Sequence, residues 1–272
     1  MLSFLSILIT GASTGIGKET ALYFADKGWN VSATMRTMAK GAGLLKYKNI
    51  RVFQLDVMDT SSIQQAIQDT IAAFGAIDVL FNNAGYALVG AFEAMTQEQI
   101  KKQFDTNVFG VMNVTKAILP YFREKKNGTI ITTSSMGGLI TFPLYSVYHS
   151  TKWAVEGFME SLQYELKPFN IKVKNIEPGA IKTEFGNSLD FVTADAYKNY
   201  VPRVHQNMLD SYESAPGADV VAKEVYKAAN DSSFRLRYTA SFQSTALLFI
   251  RRIIPNNWFF GIIRSATEKG IK

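Results

Sequence analysis

Short apolar runs of strand length alternate along this chain with stretches of helical periodicity, and that alternation leaves few architectures open. The runs are SFLSILIT, WNVSATM, IRVFQLDV, IDVLFNNAG, GTIITTSS and IKVKNIEPG, each rich in β-branched residues and about as long as a buried strand. Between them, KETALYFADKG and the segments 60–74, 96–126 and 146–168 have helical spacing. Thr96 and Gln99 have the spacing of a capping box, and Asn127-Gly128 is expected to close that helix. The order predicts an α/β fold with a doubly wound, mostly parallel sheet of about seven strands and helices on both faces. No internal repeat, low-complexity stretch or linker interrupts it, so residues 1–272 are expected to form a single domain.

Between the first run and the first helix lies TGASTGIGKET, Thr10 to Thr20, with glycines at 11, 15 and 17. Glycine there serves either a flexible turn or an anion cradle, where the backbone must approach a pyrophosphate closely at a helix N-terminus. A strand, a glycine loop and a helix in succession favour the cradle, although Gly-x-x-x-Gly-x-Gly is not the G-x-G-x-x-G spacing. In sheets of this kind ligands sit beyond the carboxyl ends of the strands. The glycine loop, Asn82-Asn83-Ala84-Gly85, Thr132 to Ser135 and the stretch from Glu177 to Thr183 all fall on that edge.

Composition narrows the chemistry. There is no cysteine, hence no disulfide and no thiolate, and two histidines without a carboxylate cluster build no ordinary zinc centre, so no metal is expected. The apolar N-terminus lacks a basic leader and is needed as the first strand. The net charge of +6 is concentrated at the end, where residues 231–272 hold seven Lys/Arg and two acids. That distribution argues against a nucleic-acid surface.

Tyr148 and Lys152, four residues apart, share a face of the predicted helix 146–168. The pattern alone is weak, since Tyr23/Lys27 and Tyr121/Lys125 repeat it. Only Tyr148/Lys152 follows a strand end bearing a serine, Ser135, thirteen residues earlier. Ser134 competes with Ser135, but strand alternation should turn its side chain to the opposite side. His149 is expected to face away, without a catalytic role.

Together, Gly11-x-x-x-Gly15-x-Gly17, Asn82-Asn83-Ala84-Gly85, Asn107, Ser135, Tyr148-x-x-x-Lys152 and Pro178-Gly179 resemble the short-chain dehydrogenase/reductase family, in its short single-domain branch, from about residue 5 to 185. The resemblance implies a Rossmann-like fold and an oxidoreductase that interconverts a ketone or aldehyde and an alcohol. Tyr148 would be the proton donor and acceptor, and Ser135 would hydrogen-bond the substrate oxygen. Lys152, with the positive nicotinamide ring of the oxidised cofactor, would lower the phenol's pKa, and it would bind the nicotinamide ribose. Asn107 would hold a water leading from Lys152 to solvent. Gly11, Ser13, Gly15, Ile16 and Gly17 would hold the pyrophosphate, Asp56 and Val57 the adenine, and Asn83, Ala84 and Gly85 the adenosine side. Pro178, Gly179, Ile181 and Thr183 would close over the nicotinamide.

Met35, where the resemblance places Asp in NAD-selective members, is followed by Arg36, which suits a 2′-phosphate; NADP(H) is therefore favoured over NAD(H). Met136, Leu139, Phe142, Leu144, Tyr145, Phe185 and Phe191 suggest a bulky apolar substrate, steroid-, retinoid- or lipid-like, and serve a core equally well. A variable lid is expected over about 184–216. A homodimer or homotetramer is expected through the helices 96–126 and 146–168, with Phe104, Val108, Val111, Val114, Trp153, Val155, Phe158 and Met159 as candidates. The basic, apolar extension 240–272 reads as a cap, a subunit contact or a peripheral membrane contact of a cytoplasmic protein. A non-catalytic dinucleotide-binding regulator and an epimerase or dehydratase of the wider superfamily are the other readings.

Overall fold

The computed structural model describes residues 4–184 and 190–271. Its strands are β1 (Ser6–Ile9), β2 (Asn30–Met35), β3 (Ile50–Gln54), β4 (Val79–Asn82), β5 (Leu88–Gly90), β6 (Gly128–Thr133), β7 (Ile171–Glu177), β8 (Asp190–Val192) and β9 (Arg237–Thr239). Seven of them form one sheet in the order β3-β2-β1-β4-β6-β7-β9, and every pairing in it is parallel. β5 and β8 form a separate parallel pair. The order reverses at β1, where β2 and β4 flank it, and that is where a ligand crevice opens in a doubly wound sheet.

Strand alternation assigns the two faces. Ile7, Ile9, Val79, Phe81 and Ile131 pack with Phe24 of α1 (Gly15–Asp26) and Val225 of α7 (Asp219–Asn230). Their neighbours Leu8, Leu80 and Ile130 pack on the other side with α2 (Thr60–Phe74), α4 (Gly110–Lys125) and α5 (Ser146–Leu166). A sheet covered on both faces explains why its strands read as continuous apolar runs.

The predicted helix 96–126 is not one α-helix. It comprises α3 (Gln97–Phe104), a π-helical turn at Asp105–Phe109 and α4. The Thr96–Gln99 capping box is present at its start. At its end Lys126, not a glycine, takes the left-handed conformation with φ 49°. Gly128 instead opens β6, where a Cβ would lie 2.4 Å from the Phe122 ring.

Of the residues expected at a subunit contact, Val108, Val111, Val114, Val155 and Met159 are buried within this chain, whereas Trp153 stays exposed. The remaining helices are α6 (Val201–Tyr212), α8 (Phe242–Ile253) and α9 (Asn256–Thr267).

Candidate active site

The loop after β1 is built by contacts to the end of β4. The Thr10 hydroxyl accepts the backbone N–H groups of Asn83 at 2.9 Å and Ala84 at 3.1 Å. The Asn83 amide donates back to Thr10 O and Gly11 O, both at 3.2 Å, and accepts from the Thr133 hydroxyl. Gly11 and Gly15 lie in the left-handed region at φ +68° and +54°. Gly17 has no room for a side chain, since a Cβ would stand 2.3 Å from Gly11 O. Thr14, the N-cap of α1, makes no side-chain cap hydrogen bond to the helix's first amides. A shallow glycine floor under an uncapped helix N-terminus fits a pyrophosphate. Ser13 is half-buried there and Ile16 packs partly on the core.

Ser135 follows the end of β6, and its hydroxyl accepts the Gly137 N–H at 3.0 Å and hydrogen-bonds Tyr148. Ser134 is buried, its hydroxyl beside Gly138. Lys152, one turn after Tyr148 on α5, is buried and donates to Thr133 O at 2.8 Å. Its ammonium lies 5.8 Å from the centre of the Tyr148 ring. Burial pulls this lysine down to about 8, opposed by the Glu156 carboxylate. Burial pushes the Tyr148 phenol above its ordinary value, opposed by the Ser135 hydrogen bond. Without cofactor, burial thus outweighs the Ser135 hydrogen bond at this phenol.

The two other Tyr-x-x-x-Lys pairs lie elsewhere. Tyr121 and Lys125 brace α4 against β4, the phenol accepting Ile77 N–H at 3.2 Å and the lysine pairing Asp78 at 2.6 Å. Lys27 sits over the ring of Tyr23 on α1.

Asn107 occupies the π-helical turn, a feature that re-aims side chains at functional sites. Its amide donates to Tyr86 O at 2.9 Å and to the Thr151 hydroxyl, and accepts Tyr86 N–H at 3.1 Å. The side chain thus fixes the segment after Gly85 and is occupied in doing so. His149 does not face solvent. It is buried, accepts Phe142 N–H at 3.0 Å through Nε2, and presses against Gly137, where a Cβ would be 2.5 Å from Nδ1. Burial holds it neutral, down to about 4. It ties down the loop that carries Ser135, a role the sequence reading missed.

A buried charge cluster lies one turn beyond Lys152. Arg237 pairs with Glu156 at 3.1 Å and Glu177 at 3.3 Å, and with Glu160. Asn175 donates to Glu156 at 2.9 Å. Glu156 and Glu177 are both almost fully buried. Burial, then repulsion from Glu156, pushes Glu177 up to about 8, against the pull of Arg237. The i, i+4 repeat Tyr148, Lys152, Glu156 and the acid ending a buried strand were the signals available in sequence. A carboxyl whose folded pKa lies above its unfolded value contributes stability at low pH and loses it as pH rises through the folded value. His149 and His205 shift the other way below about 6.5, and Lys152 and Lys174 above about 8, so Glu177 is the main contributor across pH 6.5–8. Wild type is expected to lose stability across that window at up to about 1.4 kcal/mol per pH unit, the limit for one proton. Denaturant titrations should show this slope reduced in Glu177→Gln; an unchanged slope refutes the assignment.

The remaining sequence-predicted residues fall on the same edge. Pro178 O accepts Met136 N–H at 2.9 Å, linking the loop after β7 to the loop after β6. Gly179 approaches Ser241 and Gln243, whose amide oxygen accepts Ala180 N–H. Thr183 lies 3.5 Å from where a Gly15 Cβ would be, above the glycine loop, and Ile181 is buried beneath. Met35 is buried in the core, and Arg36 beyond it is exposed, with no hydrogen bond or ion pair among the described residues. Asp56 accepts Met58 N–H at 3.0 Å, and Val57 packs under Gly110.

Of the expected pocket residues, Tyr145 stacks edge-on to Tyr148 at 5.9 Å and hydrogen-bonds Tyr212 of α6. Leu144 packs in the same cluster with Met208. Met136 turns instead into a cluster with α8 and α9, with Phe142 at its margin, and Phe191 stacks on His205. Leu139 is half-buried, and Phe185 lies outside the described residues.

With this geometry in place, comparison with known proteins places the chain in a class: it belongs to the short chain dehydrogenase family, whose profile matches residues 6–191. It is an NAD(P)-dependent oxidoreductase of that family. Retinol dehydrogenase 8 of Bos taurus is 33% identical over 270 residues, covering 92% of this chain and 86% of that one. A short-chain dehydrogenase from Streptomyces avermitilis superposes with a TM-score of 0.83 at 32% identity, over 93% of both chains. ElxO with NADP bound superposes with a TM-score of 0.76 at 29% identity, covering 89% of this chain and 99% of that one.

Proposed function

We propose that this protein is an NADP(H)-dependent carbonyl reductase, or the corresponding alcohol dehydrogenase, acting on a bulky apolar ketone, aldehyde or alcohol. The observation that carries the reading is the Ser135–Tyr148 hydrogen bond with Lys152 buried one helical turn away. In the reductive direction Tyr148 gives its proton to the substrate oxygen, which Ser135 holds by a second hydrogen bond. The Lys152 ammonium stabilises the phenolate left behind, and Glu156 keeps that ammonium charged in spite of its burial. When bound, the nicotinamide supplies or accepts the hydride.

Gly11, Ser13, Gly15, Ile16 and Gly17 bind the pyrophosphate, while Asp56, Val57 and Asn83 to Gly85 border the adenosine. Pro178, Gly179, Ile181 and Thr183 border the nicotinamide, whose ribose Lys152 holds. Asn107 acts by fixing Tyr86, and in this reading it also holds the water that leads from Lys152 to solvent.

Leu144, Tyr145, Met208 and Tyr212 give the substrate side an apolar wall with two phenols, which supports a steroid-, retinoid- or lipid-like substrate. The name of the bovine relative agrees with that class. The chain works as one domain, with a lid drawn from the expected stretch 184–216, of which 185–189 lie outside the described residues. Exposed Phe109, at the end of the π-helical turn, and exposed Trp153 of α5 support a homo-oligomer.

Cofactor choice rests on Arg36, exposed at the end of β2 where a 2′-phosphate would lie. Arg36→Ala should weaken NADPH by about 2–3 kcal/mol, the scale of hydrogen bonds to charged groups, and leave NADH unchanged. Titration of both cofactors, followed by NADPH oxidation with a panel of ketones, tests the reading. Equal losses for both cofactors overturn the choice of cofactor, and no turnover of any carbonyl overturns the reaction.

A further inference from the structure

The C-terminal helices have two faces with different tasks. Inward, Leu247, Ile250, Phe259 and Ile263 pack on Met136 and Ile140, in the loop that follows Ser135. Outward, α8 presents Phe242, Phe249 and Ile253, at positions i, i+7 and i+11 of one helix face, with exposures of 90%, 62% and 63%. On α9, Trp258 and Ile262 continue the apolar surface at 72% and 45% exposure. Apolar surface of this extent, grouped on two adjoining helices, marks an interaction site.

Charge decides among the occupants. Residues 241–272 contain five Lys/Arg and a single acid, Glu268. Arg252 lies exposed beside Ile253, and Arg264 is exposed on α9. A second copy would set the same patch against itself in an isologous pair, bringing arginine against arginine. A surface of negative charge with an apolar interior complements both features. Among the described residues no helix is long and apolar enough to cross a membrane, and Pro255 breaks the segment between two twelve-residue helices. The helices can lie on a bilayer but not span it.

We propose that the outer face of α8 and α9 docks the protein on an anionic lipid surface, with Phe242, Phe249, Ile253, Trp258 and Ile262 entering the interface. Arg252 and Arg264 then lie level with the headgroups. Because the inner face of the same helices rests on the loop carrying Ser135, the docked protein holds its catalytic cleft close to the bilayer. The docking does not depend on the reaction proposed above, and its test uses no turnover.

The test is flotation of the full chain with vesicles of phosphatidylcholine alone or mixed with phosphatidylserine, at low and high salt. Binding is expected only to the mixed vesicles, and it should weaken at high salt. Arg252→Glu with Arg264→Glu should lower it at least tenfold, and so should Phe249→Ser with Trp258→Ser, while thermal unfolding confirms that both variants are folded. No binding to mixed vesicles at low salt overturns the proposal, as does binding that neither folded variant weakens. Self-association in solution that is lost in Phe249→Ser/Trp258→Ser also overturns it, since a second copy would then cover the face.

Discussion

Tyr148→Phe is expected to lower kcat by about 10²- to 10⁴-fold, the contribution of positioned acid–base catalysis, and to leave NADPH affinity within about threefold. Only the phenolic oxygen is lost; the ring keeps its place beside Tyr145 and the Lys152 ammonium. The other Tyr-x-x-x-Lys pairs are the controls. Tyr23→Phe should be neutral. Tyr121→Phe gives up the bond from Ile77 N–H and should cost about 1 kcal/mol of stability without touching kcat. A Tyr148→Phe enzyme that keeps more than about a tenth of wild-type kcat would sink the assignment.

Gly17→Ala should act through the other half of the site. An added Cβ would lie 2.3 Å from Gly11 O and 2.6 Å from Asn83 Nδ2, so the cradle backbone or the amide that holds it must move. Overpacking of this kind costs about 1–3 kcal/mol of stability. NADPH affinity should fall further, by about two orders of magnitude, because the displaced groups shape the pyrophosphate floor. Gly157→Ala is the matched control: this glycine lies within α5 with nothing near its Cβ position, and the change should stabilise the protein by about 0.5–1 kcal/mol. Calorimetric titration of NADPH reads both variants, and unchanged affinity in Gly17→Ala would remove the glycine loop from the binding site.

The architecture was legible because it follows from periodicity: strands buried on both faces read as apolar runs, and the glycines between β1 and α1 mark where backbone must come close. The placement of Ser135, Tyr148 and Lys152 was legible for the same reason, since strand ends and helix faces are fixed by local geometry. What stayed hidden depends on contacts distant in sequence. Nothing local announces that Glu156, Glu177 and Arg237, drawn from α5, β7 and β9, converge. Nor does it announce that His149 reaches back to Phe142 N–H, or that a phenol from α6 meets Tyr145. The π-helical turn at Asn107 inserts itself into an otherwise regular helical pattern, so its spacing read as one long helix.

The strand order has a consequence for the birth of the protein. β1 precedes both of its partners in the chain, and Ile7 pairs with Val79 as well as with Val31, so one edge of β1 waits while some seventy residues are made. β7 waits in the same way for β9, which also brings Arg237 to the two buried glutamates. Pairings this distant in sequence are slow to form and leave apolar strands open to other chains in the interval. The glycine loop waits as well: its Asn83 amide needs the Thr133 hydroxyl and its Gly15 meets Thr183, so the loop encoded early is finished only with the late strands.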